Sequence, residues 1–263
     1  MSTGHWPYWP KGLAREVSVP QTDLYANVEI SAWRWPDKTF LIFYGSRLSF
    51  AQFRDDCEHL AGHLQTVCGV RQGDRVILYL QNSPQFVIGF YAILRAGAVV
   101  VPVNPMNRTD ELAHVVDDCN ATVAIVPQDR LTEVSPLVRV RPQHQGLQHF
   151  VVACYGDYLA GTCDFDIPEF VLAPRAALEL PGAVSWERAL APKYVAHPRD
   201  RGPDDLCVMP YTSGTTGKPK GCCTPTARSC TTLWFPRRGL PRRPTPCLSA
   251  RCLFSTSQAC RAV

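Results

Sequence analysis

Apolar positions between residues 49 and 127 switch repeatedly between helical spacing and short unbroken runs. Phe50, Phe53, Leu60, Leu64 and Val67 recur at helical intervals behind Ser49, which has Gln52 three residues on as the second half of a capping box, and Gly69 closes the segment. "DRVILYL", Asp74 to Leu80, lies between Gly73 and Asn82 and predicts a short buried strand. Ser83 and Pro84 open a second helix that ends near Gly97, and "AVVVPV", residues 98–103, predicts the next strand. Thr109 is the expected cap of a third helix reaching about Asn120, followed by "ATVAIVP", residues 121–127, as a third strand.

Strands that are apolar throughout, alternating with amphipathic helices, predict an α/β fold with a largely parallel sheet covered on both faces. Ligands in that architecture sit beyond the C-terminal ends of the strands. The stretch from Gln143 to Asp205 is rich in Pro and Gly, with one expected strand at "FVVAC", Phe150 to Cys154, and reads as an insertion or long surface excursion. "LCVMPY", Leu206 to Tyr211, resumes as a strand. The nearly apolar run from Phe86 to Val103 carries Arg95 near its middle, which would cost roughly 2.5–3.5 kcal/mol at a bilayer centre, so it is helix plus buried strand.

Composition divides the chain. Of its 263 residues 46% are hydrophobic, enough for a core, and the net charge is +4. Residues 223–263 contain seven arginines, five of the twelve cysteines and no Lys, Asp or Glu, which leaves 20 basic against 23 acidic residues before them. The N-terminal "MSTGHWPYWPKG" has no apolar core of the kind a secretory signal needs, so the expected setting is cytoplasmic and Cys57, Cys68, Cys119, Cys154, Cys163 and Cys207 are expected as free thiols. Trp6, Tyr8 and Trp9 suggest a strap over residues 1–20 packed on the domain. His59 and His63 stand one helical turn apart without a third ligand beside them and are expected on a solvated helix face; no metal ligands are assigned. Asp110, Asp117 and Asp118 are expected as an acidic helix surface, and no catalytic carboxylate pair is assigned.

The concentrated chemistry is "YTSGTTGKPKG", Tyr211 to Gly221. Gly214, Gly217 and Gly221 permit close backbone approach and positive φ, so successive amides can converge on one ligand. Thr212, Ser213, Thr215 and Thr216 add hydroxyls, Lys218 and Lys220 add charge, and Pro219 stiffens the interval between the lysines. A polyphosphate satisfies all of these together. A Walker A loop is excluded, since two residues and not four separate Gly214 from Gly217, and Pro219 follows Lys218. Tyr211 stands where a nucleophile elbow around Ser213 would need glycine, and no G-x-G occurs as in a dinucleotide fingerprint. Loops of this composition also occur as plain surface turns, so the order of the residues carries the weight.

That order resembles the phosphate loop of the adenylate-forming superfamily of acyl- and aryl-CoA synthetases, luciferases and peptide-synthetase adenylation domains. The resemblance extends over "GDRVILYLQNSPQFVIGFYAILRAGAVVVPVNP", residues 73–105, and "DELAHVVDDCNATVAI", residues 110–125, and is strongest toward fatty-acid CoA ligases. It implies an incomplete N-terminal domain of the acyl-CoA synthetase fold over residues 21–222, with mixed, largely parallel sheets and flanking helices. It implies a carboxylic-acid substrate, ATP, Mg2+ and coenzyme A, an acyl-adenylate intermediate, and Thr212, Ser213, Gly214, Thr215, Thr216, Gly217 and Lys220 on the β- and γ-phosphates, with Lys218 at a variable position. A fatty-acyl substrate is compatible with peripheral membrane contact. The parts that the resemblance assigns to Mg2+, coenzyme A and the acyl pocket fall largely beyond the resembling stretch, so the chain alone is expected to be inactive.

Residues 223–263 do not continue the resemblance as written. Their arginines could suggest nucleic acid, but aromatic interleaving is sparse and no nucleic-acid partner is expected. A one-base deletion accounts for the change: Cys223 to Cys230 can be back-translated so that one restored adenine yields Met-His-Pro-His-Arg-Thr-Val-Met, similar to the family's continuation. Residues 223–263 are then an out-of-frame, disordered tail. Two other readings remain open from sequence: a noncatalytic nucleotide-binding or interaction fragment, and part of an amino-acid adenylation domain.

Overall fold

A computed structural model describes residues 22–138, 146–160, 164, 166–212, 219–226 and 229. The strap expected over residues 1–20 lies outside them, as do Cys163 and nearly all of the tail. In chain order the elements are α1 (Leu24–Arg34), β1 (Thr39–Phe43), β2 (Ser46–Ser49), α2 (Phe50–Thr66), β3 (Arg75–Leu78), α3 (Pro84–Arg95), β4 (Val99–Pro102), α4 (Thr109–Cys119), β5 (Val123–Pro127), α5 (Leu131–Val134), β6 (His149–Ala153), α6 (Glu169–Leu172), β7 (Ala183–Ser185), α7 (Trp186–Leu190), β8 (Leu206–Val208), β9 (Tyr211–Thr212), β10 (Lys220–Gly221) and β11 (Thr224–Pro225).

The main sheet has seven strands in the order β11-β8-β4-β3-β5-β6-β7. Every neighbouring pair is parallel except β11 with β8. The expected α/β class and its parallel sheet are therefore present. Alternation along the strands divides the core in two. Val76, Leu78, Val100, Ile125 and Val151 face α1, α2 and α3, while Ile77, Tyr79, Val101, Ala124, Val126 and Phe150 face α4. Phe53 and Phe150 are fully buried, each worth about 1.5–3 kcal/mol of transfer free energy. No helix among the described residues is long and apolar enough to cross a membrane.

The helix signals correspond to physical caps. The Ser49 hydroxyl accepts from the Gln52 amide at 3.2 Å and the Gln52 side chain accepts from the Ser49 amide at 2.9 Å, closing the box at the start of α2. Ser83 accepts from the Phe86 amide at 3.1 Å with Pro84 as the first residue of α3. Thr109 differs from expectation: it is the first residue of α4, not its cap. Its hydroxyl turns instead to Glu133, whose carboxylate also accepts from the Thr109 amide at 3.0 Å and from Arg108 at 2.9 Å. Those bonds, the hydroxyl's first, hold the Glu133 carboxyl below its ordinary range.

The stretch from Gln143 to Asp205 is not a surface excursion. It supplies β6 and β7 to the main sheet, and buries Tyr155, Val171, Trp186 and Ala189. Its apolar residues are spaced too irregularly for either period to show, because short elements and turns alternate within a few residues of each other. The β1–β2 hairpin turns on Tyr44 and Gly45, both at positive φ (45° and 85°), a two-residue turn without the usual Asn-Gly signature.

Candidate functional site

The expected strand Leu206 to Tyr211 divides into two. β8 ends at Val208, where the Met209 amide donates to the Val100 carbonyl at 2.8 Å, and β9 begins at Tyr211 in a separate ribbon. β9 and β10 pair antiparallel, with Thr212 opposite Lys220 and Tyr211 opposite Gly221. The Cys222 amide donates to the Pro210 carbonyl at 2.8 Å and closes the base of the ribbon. The hairpin therefore stands at the C-terminal exit of β8, the end of a parallel sheet where ligands bind.

Of the seven expected phosphate-binding residues, the structure describes two, and it brings them face to face: Thr212 on the arm running into the loop and Lys220 on the arm leaving it. Ser213, Gly214, Thr215, Thr216 and Gly217 lie outside the described residues, as does Lys218. A hydroxyl and an ammonium at the mouth of a glycine-rich loop form a donor set suited to phosphate oxygens. At the hairpin base the backbone packs closely. A Cβ on Gly221 would lie 3.1 Å from the Met209 Cγ and Sδ atoms and 3.3 Å from the Tyr211 ring.

Two contacts from α4 reach the hairpin, and neither is expected from the sequence. The Tyr211 hydroxyl donates to Asp118 Oδ2 at 2.5 Å. His114 Nε2 lies 2.8 Å from the Pro219 carbonyl oxygen, and since a carbonyl can only accept, Nε2 carries the proton. The His114 and Tyr211 rings meet edge to face, with centroids 6.4 Å apart and planes at 82°. Burial in the first place, and the Asp118 carboxylate in the second, push the Tyr211 phenol above its ordinary pKa. The available signal was the i, i+4 spacing of His114 and Asp118, which places both on one helix face.

His63 departs from expectation. It is 3% exposed and neither ring nitrogen has a hydrogen-bond partner among the described residues. The Tyr194 ring covers it at 6.3 Å between centroids, because residues 194–199 cross over the end of α2. Burial first, and the charge of His149 second, hold its pKa below the usual 6.5. Cys57, Cys68, Cys119, Cys154 and Cys207 are free and buried. Burial raises the thiol of Cys68 to about 12 and that of Cys119 to about 11. Among the described residues no group of three or more His, Cys, Asp or Glu is arranged for a metal ion.

The model of the AMP-binding enzyme family matches residues 28–253. The chain belongs to that family. Among similar proteins, a long-chain-fatty-acid–CoA ligase of Bacillus subtilis (strain 168) is 30% identical over 224 residues, covering 81% of this chain and 38% of the relative. The same enzyme of Yersinia pestis is 31% identical over 225 residues, with the same coverage. The chain thus spans 38% of the length of these relatives. Among solved structures, the anthranilate CoA ligase AuaEII in complex with anthranoyl-AMP superposes with a TM-score of 0.66 at 24% identity, over 83% of this chain and 38% of that one. A long-chain-fatty-acid-CoA ligase from Archaeoglobus fulgidus superposes with a TM-score of 0.62 at 22% identity, over 83% and 39%. At these identities the two superpositions establish the fold: that of the N-terminal part of acyl- and aryl-CoA ligases.

Proposed function

We propose that the chain is the phosphate-loop-bearing part of an ATP-dependent acid–CoA ligase that activates a carboxylic acid, of the long-chain fatty class that its relatives' names carry, and transfers the acyl group to coenzyme A. The observation that carries this reading is the hairpin at the exit of β8, with Thr212 opposite Lys220 across the mouth of "SGTTGKP", in a member of the AMP-binding family. Thr212, Ser213, Gly214, Thr215, Thr216, Gly217 and Lys220 hold the β- and γ-phosphates of ATP in this reading. A carboxylate oxygen then attacks the α-phosphorus, the bond from that phosphorus to the bridging oxygen breaks, and pyrophosphate leaves with the bonding electrons. In the second step the coenzyme A thiol attacks the acyl carbon and gives up its proton, and the bond from that carbon to the phosphate oxygen breaks as AMP departs with the bonding electrons. Charge grows on the pyrophosphate as it leaves, so donors fixed beforehand around the terminal phosphates stabilise the transition state more than the ground state.

Mg2+ would enter with the nucleotide phosphates, and the described residues offer it no ligand cluster of their own. An ATP- and coenzyme-A-consuming reaction fits a cytoplasmic setting, and an acyl substrate fits peripheral contact with a membrane. The chain by itself is expected to bind ATP without completing the reaction. Acid-dependent exchange of pyrophosphate into ATP, measured on the chain extended in a restored frame, tests the assignment. Exchange driven by long-chain fatty acids is the expected result, and exchange driven by amino acids alone contradicts it.

The composition beyond Gly221 supports a second proposal, that residues 223–263 are read out of frame after a one-base deletion. The family match, which runs on to residue 253, does not itself mark the change; the proposal rests on the seven arginines and the lack of Lys, Asp and Glu in residues 223–263. Sequencing the encoding DNA across codons 221–224 and onward past codon 263 decides the matter: the restored frame should stay open well beyond Val263, and a restored frame that stops at once overturns the proposal.

A further inference from the structure

We propose that His114 and Asp118 are positioning residues for the phosphate loop: from one face of α4 they anchor its β9 and β10 arms, and so set Thr212 opposite Lys220 for polyphosphate. This rests on the reading of the loop given above. The β9–β10 ribbon consists of two residue pairs, too few to be stable by itself. Something outside the ribbon must fix it, and α4 does so at two points.

Each point lies next to a phosphate-binding candidate. Tyr211, bound to Asp118 at 2.5 Å, immediately precedes Thr212 on the entering arm. Pro219, bound to His114 at 2.8 Å, immediately precedes Lys220 on the leaving arm. Pro219 has no amide hydrogen, so its carbonyl is the only main-chain group it can offer to an anchor. The edge-to-face contact of His114 with Tyr211 joins the two anchors into one cluster. Met209 and Tyr211 pack against the core on this same side of the sheet.

α4 is itself fixed at both ends. Arg75 Nε donates to the Cys119 carbonyl at 2.7 Å, and Glu133 receives the Thr109 amide at 3.0 Å. Leu112, Val115, Val116 and Cys119 bury its inner face against the sheet. A helix held in this way is a rigid platform, and its last two turns present His114 and Asp118 to the hairpin. The ordering cost of the arms that carry Thr212 and Lys220 is then met in the folded protein and not at the moment of binding.

Hydrogen exchange by mass spectrometry, with and without ATP, on the chain and on His114→Ala, His114→Gln and Tyr211→Phe tests the assignment. His114→Ala and Tyr211→Phe are expected to speed exchange of the Tyr211, Thr212, Lys220, Gly221 and Cys222 amides about tenfold and to weaken ATP binding about tenfold, as loss of one well-formed hydrogen bond allows. Exchange of the β3, β4 and β5 amides should hold. His114→Gln, whose amide can still donate to the Pro219 carbonyl, should restore both properties. Unchanged hairpin exchange and ATP affinity in His114→Ala and Tyr211→Phe overturn the proposal, and so does faster exchange spread evenly through the sheet, which would mark a general packing role. If the parent chain shows no response to ATP while the variants still loosen the hairpin alone, the clamp stands and the nucleotide reading fails.

Discussion

A Cβ at residue 62 would lie 2.4 Å from the Tyr194 carbonyl oxygen, closer than any side-chain movement can relieve. Gly62→Ala therefore has to push residues 194–199 off α2, and a cost of about 2 kcal/mol in urea unfolding is expected. His63 beside it provides a pH signature. Its folded pKa lies below the usual 6.5 while the unfolded chain titrates near that value, so the unfolded state takes up the proton first. Stability from this residue is complete above about 6.5 and is lost as pH falls from there through the lowered folded value. The thermal midpoint of the parent chain should drop more steeply between pH 7 and pH 5 than that of His63→Phe; parallel slopes would contradict the burial argument. Nothing near residue 63 in sequence announces this. The Ser49–Gln52 box was legible because all its atoms lie within one helical turn, whereas the cover over His63 arrives from a segment 131 residues later.

Elements whose period is local were readable, and those defined by partners were not. α2, α3, β3, β4 and β5 follow from spacing and caps within their own residues. β6 was visible as an apolar run, but the three-residue β7 owes its existence to pairing with β6. Thr109 carries the same lesson, since a capping-type residue was claimed by Glu133 from another element. Packing between elements also depends on a polar staple. Arg95 at the end of α3 pairs with Glu58 of α2 at 2.6 Å and donates to the His197 carbonyl at 2.7 Å. Its side chain is 10% exposed and that of Glu58 26%. Glu58→Ala leaves the guanidinium buried without its counter-charge, at a cost of about 2 kcal/mol, below the range for fully buried pairs because Glu58 reaches solvent. Equilibrium urea unfolding checks the value, and a change under about 0.5 kcal/mol would place the pair among inert surface bridges.

At the scale of the whole molecule, a doubly covered parallel sheet aims the β9–β10 hairpin outward from the end of β8, and the second core beneath α4 sets where the hairpin rests. The fold class was legible because β3, β4 and β5 and the helices between them each carry their own period and caps. The clamp from α4 was not, because His114 and Asp118 acquire meaning only when the sheet order brings α4 beside residues about 100 positions away. Past the change in composition, Thr224 and Pro225 pair with β8 and Thr226 binds the Asp205 carbonyl through both its amide and its hydroxyl, so the sheet edge takes in residues beyond 223. The central claim is that the loop grips the polyphosphate of a nucleotide. Calorimetric titration of Mg-ATP into the chain and into its Thr215→Ala/Thr216→Ala/Lys220→Ala variant, matched in thermal midpoint, tests it most directly. Loss of several charge-assisted hydrogen bonds predicts at least about a hundredfold weaker binding in the variant; equal affinity in the two proteins would contradict the account.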